Sequence, residues 1–146
     1  MEPQALAEAC AATMWAGDEA NRTLATRLAE VAPGRAVMCL DLGPQHLNSH
    51  GICHGGFIFA LADSAFAYAA NSHNVPMVAQ VNQITFVSPA RGGETLTATA
   101  TELSRSGRSA IYDIMVTGGD GRLVATLRAN GRSQPGQHIP DAQTQG

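Results

Sequence analysis

The chain has 146 residues, of which 45% are hydrophobic and 14% charged, and its formal net charge is -3. This length suits one domain with a real core, and the absence of a basic run predicts no nucleic-acid partner. No apolar stretch reaches the roughly 18 residues of a membrane span and no signal-peptide pattern is visible, so we expect no membrane association. Three cysteines without a C-x-x-C pair favour the reducing cytoplasm.

The residues before position 43 predict two helices and then two paired strands. The Ala-rich start favours a helix that ends near Gly17. Asp18 can accept hydrogen bonds from the free amides of a following helix, so it is the predicted cap. Pro33 and Gly34 predict a turn that pairs the two strands. The predicted elements are helices over residues 5–15 and 19–28 and strands over residues 28–32 and 35–42.

The middle of the chain predicts a polar loop and then a buried helix. Residues 43–55 are rich in Gly, Asn, Ser and His, which is typical of a loop. Residues 56–70 are apolar on nearly every face, which is typical of an enclosed helix. The exception is Asp63, a lone acid in this apolar run. Acids are rarely buried unless they are paired or used, so Asp63 is a candidate functional residue.

The rest of the chain predicts four strands and a polar tail. Consecutive strands at hairpin spacing, with a hairpin signal at residues 118–121, indicate an antiparallel four-stranded meander. The fold class is therefore α+β, with one long buried central helix wrapped by an antiparallel sheet. Its free edge and uncovered face favour dimerisation. The predicted strands cover residues 78–87, 95–103, 110–117 and 123–130; one domain spans residues 1–133, and residues 134–146 are a predicted disordered tail.

Two parts of the sequence carry a family resemblance. The first comprises Asn48, His54-Gly55-Gly56 and Asp63, and the second comprises residues 95–100 and the pair Tyr112-Asp113. Over residues 10–133 the chain resembles the hotdog-fold acyl-CoA thioesterases, and most closely the subgroup that serves phenylacetate degradation. The first part is specific, because it supplies three chemical roles in one segment.

The resemblance implies a hotdog homodimer, usually paired into a tetramer as a dimer of dimers. It implies hydrolysis of phenylacetyl or ring-hydroxylated phenylacetyl thioesters of coenzyme A in phenylacetate catabolism. It implies neither a metal nor a cofactor, because coenzyme A is part of the substrate. Relatives often carry Arg-Pro where this chain has Ser88-Pro89. This departure puts a phosphate contact at Ser88 in question, although Ser88 stays a substrate-binding candidate.

Thioester hydrolysis needs a donor for the carbonyl oxygen and a group that attacks the thioester or activates water. A helix N-terminus offers unpaired amides, and Gly55 lets the backbone approach a substrate closely, so its amide is the predicted donor. Asp63 is the predicted nucleophile or general base. The competing interpretations are a tight helix entry at the glycines and a bond from Asp63 to Ser64, Tyr68 or a backbone amide.

The spacing of donor and acid predicts a site shared by two subunits. Asp63 follows Gly55 by eight residues, which is a rise of about 12 Å along a helix. Both groups should lie about 3 Å from the reacting carbonyl, so the acid that faces Gly55 is expected from the partner's helix. The resemblance assigns Asn48 to positioning the water or thioester and His54 to orienting the loop or contacting the thioester. Alternatively, Asn48 bonds its own backbone and His54 is a cap or a core residue.

Histidine and cysteine residues of the loop suggest two other kinds of site, a metal site and a nucleophile–base pair. His46, His50 and His54 are spaced by four, which would align metal ligands on a helix, but they lie in a predicted loop without a cysteine pair. We therefore predict no metal site. Cys53 and His54 could form a nucleophile–base pair, although adjacent side chains rarely point at one target.

The coenzyme A phosphates need cations, and the late strands supply arginines. Arg105 and Arg108 flank the Gly107 turn and are, with Gly56 and Ser88, the predicted substrate-binding residues. Solvated surface arginine is the competing interpretation for each. The acyl group needs an apolar slot, for which the helix offers phenylalanines that could equally pack the core. The further candidates are Arg128 and Arg132 for phosphate, and Phe57, Phe59 and Phe66 for the slot.

Two other functions compete on the same fold. A non-catalytic acyl-CoA-binding module has no need of an acid at Asp63. A hotdog dehydratase acting on acyl thioesters would use a histidine with an acid for proton transfer, and His54 is the nearby candidate. We favour thioester hydrolysis because the segment supplies both a carbonyl-binding amide and an acid.

Overall fold

The computed structural model describes residues 1–140. Every strand of its antiparallel six-stranded sheet contacts one central helix (Gly55–Ala70). This arrangement confirms the predicted α+β class. The helices are α1 (Pro3–Ala16), α2 (Glu19–Leu24) and α3 (Gly55–Ala70), with a 3-10 turn at Pro44–His46. The strands are β1 (Arg27–Ala32), β2 (Arg35–Asp41), β3 (Met77–Phe86), β4 (Thr95–Ser106), β5 (Ser109–Thr117) and β6 (Leu123–Ser133).

The second helix is shorter than the sequence predicted. Asp18 caps it as expected, accepting a hydrogen bond from the amide of Asn21 at 3.1 Å. The prediction that it runs to residue 28 is wrong, because Ala25 ends it in the left-handed conformation, with φ at 60°. Leu28 then pairs with Met38 in the sheet, so pairing with β2 outweighs local helix preference.

The order of strands also departs from the prediction. The order is β1-β2-β4-β5-β6-β3, so only β4, β5 and β6 form the predicted meander. β3 pairs with β6 at the far edge and not with β4. The connection over residues 87–94 carries the chain back from that edge to the middle of the sheet, beside β2. The sheet therefore ends in a long edge strand.

The edge strand β3 contains a bulge that changes which side chains face α3. Ala79 pairs with Gly131 and Val81 with Asn130, which leaves Gln80 as an extra residue. Side chains alternate along a strand, so an inserted residue exchanges the two faces beyond it. After the bulge Asn82 and Phe86 both contact α3.

The core lies between α3 and the inner face of the sheet. Half of α3 is buried, and its alanines let the sheet pack closely against it. Phe66 meets Tyr112 of β5 edge to face, with ring centres 5.5 Å apart. No helix within residues 1–140 is long and apolar enough to cross a membrane.

The segment after β6 was predicted to be disordered from Gln134 onward. The structure instead holds residues 134–140 against the end of α3, so the prediction is wrong for them. The carbonyl oxygen of the Asn74 side chain accepts hydrogen bonds from the amides of His138 and Ile139 at 2.9 and 2.8 Å. The amide of Gln134 donates to the Pro76 carbonyl at 2.7 Å. The remainder of the predicted tail, residues 141–146, lies outside the described residues.

Candidate active site

A mainly apolar cleft of about 510 Å³ lies where the loop before α3, the start of α3 and the end of β3 meet. It brings together three predicted site residues that are distant in sequence: Asn48, Gly55 and Ser88. No charged side chain lines it. The other lining residues are Ile52, Cys53, Ile58, Phe86, Val87, Pro89 and Ala90.

Gly55 places a backbone amide at the wall of this cleft. It is the first residue of α3, and its N–H donates no hydrogen bond to any described residue. A Cβ atom at this position would lie 2.9 Å from Cζ of Phe86, so glycine is what allows the ring to approach the backbone. An unpaired amide at the positive end of a helix can stabilise a developing oxyanion.

His54 caps α3. Its Nδ1 accepts a hydrogen bond from the amide of Gly56 at 2.9 Å, and its ring lies edge-on to Phe57. The structure thus shows the capping interaction that was the alternative to a direct thioester contact. Neither His54 nor Gly56 lines the cleft, and the Gly56 amide already has a partner.

Asn48 lies in the cleft wall with its side chain partly engaged. Its Oδ1 accepts hydrogen bonds from the amides of His50 and Ile52, at 2.9 and 3.4 Å. The loop interaction considered as an alternative is therefore present. The Nδ2 group donates to no described residue, so a donor remains for a ligand in the cleft.

Asp63 lies in the second half of α3 and is not part of the cleft wall. Its Oδ1 accepts a hydrogen bond from Nδ2 of Asn82 at 2.8 Å. The partners considered from sequence are engaged elsewhere, because Ser64 bonds the Ala60 carbonyl and Tyr68 bonds Asp18. Within one chain, the cleft that contains the Gly55 amide is lined by no carboxylate.

Asn82 is the residue that the sequence analysis missed. Its contact with Asp63 depends on the bulge in β3, which breaks the alternation along that strand. The incomplete alternation over residues 78–87 was the available signal, but it does not reveal which residue is the extra one.

The His46 and His54 rings accept hydrogen bonds from backbone amides, and Cys53 is buried. His46 is buried, and its Nδ1 accepts a hydrogen bond from the amide of Gly43 at 2.9 Å. Among residues 1–140 no group of three possible ligands has metal-binding geometry. Burial raises the pKa of Cys53 to about 11, which disfavours the thiolate that a nucleophile–base pair with His54 would need.

The predicted phosphate contacts are not assembled at the cleft. Arg105 lies 3.7 Å from Glu102, and Arg128 pairs with Asp113. Arg108 is exposed and, like Arg105, is absent from the cleft wall. Ser88 does line the cleft, where its hydroxyl donates to the Leu123 carbonyl at 2.6 Å.

Comparison with known proteins agrees with this fold. The thioesterase superfamily matches residues 50–125. The acyl-coenzyme A thioesterase PaaI of Escherichia coli (strain K12) is 37% identical over 115 residues, which are 79% of this chain and 82% of that protein. A solved structure of the E. coli PaaI protein has a TM-score of 0.91 at 34% identity, covering 93% of this chain and 99% of that one.

A more distant structural relative gives the same result. A solved variant of the phenylacetic acid degradation protein PaaI from Thermus thermophilus has a TM-score of 0.77 at 36% identity, covering 80% of this chain and 100% of that one. The sheet around α3 is thus a hotdog fold, and the protein is a thioester hydrolase. The chain belongs to the thioesterase superfamily.

Proposed function

We propose that the protein is an acyl-CoA thioesterase that hydrolyses phenylacetyl-CoA or ring-hydroxylated phenylacetyl-CoA to the free acid and coenzyme A. The observation that carries this proposal is the unpaired Gly55 amide in the wall of an apolar cleft. The cleft offers an aryl-acetyl group aromatic and aliphatic contacts beside the carbonyl-binding amide. The similarity to PaaI, which one relative's description links to a phenylacetic acid degradation operon, supports the substrate class and a role in phenylacetate catabolism.

In this mechanism the Gly55 N–H stabilises the oxyanion that forms when the thioester carbonyl is attacked. Asp63 is either the nucleophile, forming an anhydride, or the base that removes a proton from water. The free amide of Asn48 positions the water or the thioester. Coenzyme A leaves as the thiol, and the reaction uses no metal or cofactor.

The active unit is a homodimer in which each cleft receives Asp63 from the other subunit, and pairing into a dimer of dimers follows the family pattern. Two observations support this. The cleft of one chain is lined by no carboxylate, and β3 is a long edge strand with Val78, Val81 and Phe86 about half exposed. Such an edge normally needs cover. Three unpaired cysteines support a reducing cytoplasm as its location.

Two competing functions receive less support. A non-catalytic acyl-CoA-binding protein does not need a carboxylate at position 63 or the Asn82 side chain that bonds it. A dehydratase needs a histidine free to exchange protons, whereas Nδ1 of His54 is fixed by the helix amide of Gly56.

The test is a free-thiol assay with purified protein and a panel of coenzyme A thioesters. The panel contains phenylacetyl-CoA, its ring-hydroxylated forms, acetyl-CoA and palmitoyl-CoA. We expect the highest kcat/KM for the aryl-acetyl substrates and the same rate after treatment with EDTA. A clear preference for palmitoyl-CoA would contradict the proposed substrate class, and no hydrolysis of any thioester would contradict the function.

A further inference from the structure

Asn82 makes one directional contact with the acid of the site. Its Nδ2 donates to Oδ1 of Asp63 at 2.8 Å. The orientation of the amide is determined by its partner, because an ionised carboxylate only accepts hydrogen bonds. A flipped amide would place two acceptors against each other, so Nδ2 must face Asp63.

The other end of the same amide is unsatisfied. Oδ1 of Asn82 is shielded from solvent and accepts no hydrogen bond from residues 1–140. Leaving a buried carbonyl without a donor costs folding free energy, whereas an aliphatic side chain of the same shape would avoid that cost. The Asn82 side chain thus has one unsatisfied polar end, and its one hydrogen bond is the contact with Asp63.

The backbone of β3 is shaped so that this contact forms. The bulge at Gln80 exchanges the two faces of the strand, so that Asn82 meets α3 and Gln83 faces outward. Bulges are frequent beside active sites, where they re-aim a side chain. Without the extra residue, the side chain at position 82 would point away from Asp63.

We propose that Asn82 is a positioning residue that holds the Asp63 carboxylate in its reactive orientation. The Asn82 amide donates to Oδ1 of Asp63. The second carboxylate oxygen of Asp63, Oδ2, is left for attack on the thioester or for removal of a proton from water. The proposal rests on the proposed function, in which Asp63 is the reacting acid. Asn82 lies outside the segment from Asn48 to Asp63 that carries the family resemblance, because it belongs to the edge strand β3.

The test compares Asn82→Leu with the unmodified enzyme on phenylacetyl-CoA. Loss of the oriented carboxylate should lower kcat about 10- to 100-fold, while KM changes little because Asn82 does not line the cleft. The unfolding temperature should stay equal or rise, because the unsatisfied carbonyl is removed. Gln83→Leu, the same chemical change at the exposed neighbour, is the matched control and should keep normal activity.

A second variant keeps the test decisive if Asn82→Leu folds poorly. Asn82→Asp has the same shape but cannot donate a hydrogen bond when ionised. Its activity should be low at neutral pH and should recover, relative to the unmodified enzyme, as the pH falls and the new carboxyl group regains a proton to donate. A pH profile parallel to that of the unmodified enzyme would overturn the proposal.

The remaining outcomes separate this proposal from the proposed function. Normal kcat in Asn82→Leu, with an inactive Asp63→Asn enzyme, would overturn the positioning role and leave the thioesterase mechanism intact. Full activity in Asp63→Asn would overturn the role of the acid and, with it, the role of Asn82. A fall in unfolding temperature with unchanged kcat would make Asn82 a structural residue only.

Discussion

At the scale of single residues, Gly55 shows why the cleft depends on the absence of a side chain. Phe86, from the far edge of the sheet, lies so close that a Cβ atom on Gly55 would approach its ring to 2.9 Å. The N–H of Gly55, at the start of α3, has no hydrogen-bond partner among the described residues. One glycine therefore brings an aromatic ring and an unpaired backbone donor to the same cleft.

We expect turnover to depend on the carboxylate of Asp63. Asp63→Asn should lower kcat by at least about 10²- to 10⁴-fold, which is the typical loss for a positioned base. The new amide can still accept the hydrogen bond from Asn82, so the unfolding temperature and the oligomeric state should not change. The measurement is steady-state kinetics combined with thermal unfolding and gel filtration.

The adjacent Ser64 offers the control for that change. Its hydroxyl bonds the Ala60 carbonyl within α3, so Ser64→Ala removes a polar group from the same helix without touching the acid. It should keep near-normal kcat. An Asp63→Asn enzyme with the same kcat as Ser64→Ala would refute the catalytic role of Asp63.

At the scale of elements, an ion pair joins two connections beside the cleft. Glu94 ends the connection after β3, and Arg122 follows the β5–β6 turn; their two contacts measure 2.6 and 2.7 Å. Arg122 also donates to the carbonyl of Pro89, a cleft residue, at 2.6 Å. Side-chain hydrogen bonds from Arg122 lower the pKa of Glu94 from 4.5 to about 2. The pair thus stabilises the cleft wall as well as the fold.

The sign of this pKa shift gives a pH-dependent prediction. A carboxyl whose pKa is lowered by folding stabilises the protein fully above its unfolded pKa and loses that effect as the pH falls through its folded pKa. Glu94→Gln should therefore destabilise the protein by about 1–3 kcal/mol at pH 7. The difference from the unmodified protein should shrink between pH 4.5 and pH 2, as the pKa values of Glu94 require.

Urea unfolding of both proteins across this pH range is the measurement. Glu30→Gln is the control, because the Glu30–Arg35 pair is a more exposed surface pair and such pairs contribute little. Equal losses in the two variants, or a Glu94→Gln difference that does not depend on pH, would contradict the prediction.

At the scale of the whole molecule, the central question is which subunit supplies the acid. The cleft in one chain contains Asn48 and Gly55 but no carboxylate, and α3 separates Gly55 from Asp63 by eight residues. A symmetric dimer repeats every contact twice. On our proposal, two such subunits complete two identical sites, each built from a loop of one chain and an acid of the other.

Mixing two inactive proteins tests this arrangement. Asp63→Asn breaks the acid and Asn48→Ala breaks the loop, so a mixed dimer has one intact and one doubly broken site. With random exchange about half of the dimers are mixed, and about a quarter of the normal activity should return. The measurement is kcat after subunit exchange, with the mixed dimer confirmed by mass spectrometry.

The control mixes Asp63→Asn with the double variant Asp63→Asn/Asn48→Ala, which cannot form an intact site and should stay inactive. Complete exchange without recovered activity in the first mixture would show that the acid and the loop act within one chain.

Prediction from sequence succeeded where the signal is local. Apolar composition identified α3 to within one residue, and Pro33 and Gly34 identified the turn between β1 and β2. Asn48 and Gly55, both taken from the loop-to-helix segment, line one cleft, and their catalytic roles stay predictions. These features depend on neighbouring residues and on the backbone preferences of short segments.

The amino-acid sequence by itself thus determined α3, the turn between β1 and β2, the α+β class and the segment that marks a thioesterase, because each depends on a short-range pattern. Only the tertiary structure decided that β3 pairs with β6 and that His138 and Ile139 bond Asn74. It also decided that Asn82 meets Asp63. These contacts join residues far apart in the chain, and one bulged residue reverses the faces of a strand without changing its composition. The pairing register that selects them is determined by the packing of the whole sheet around α3.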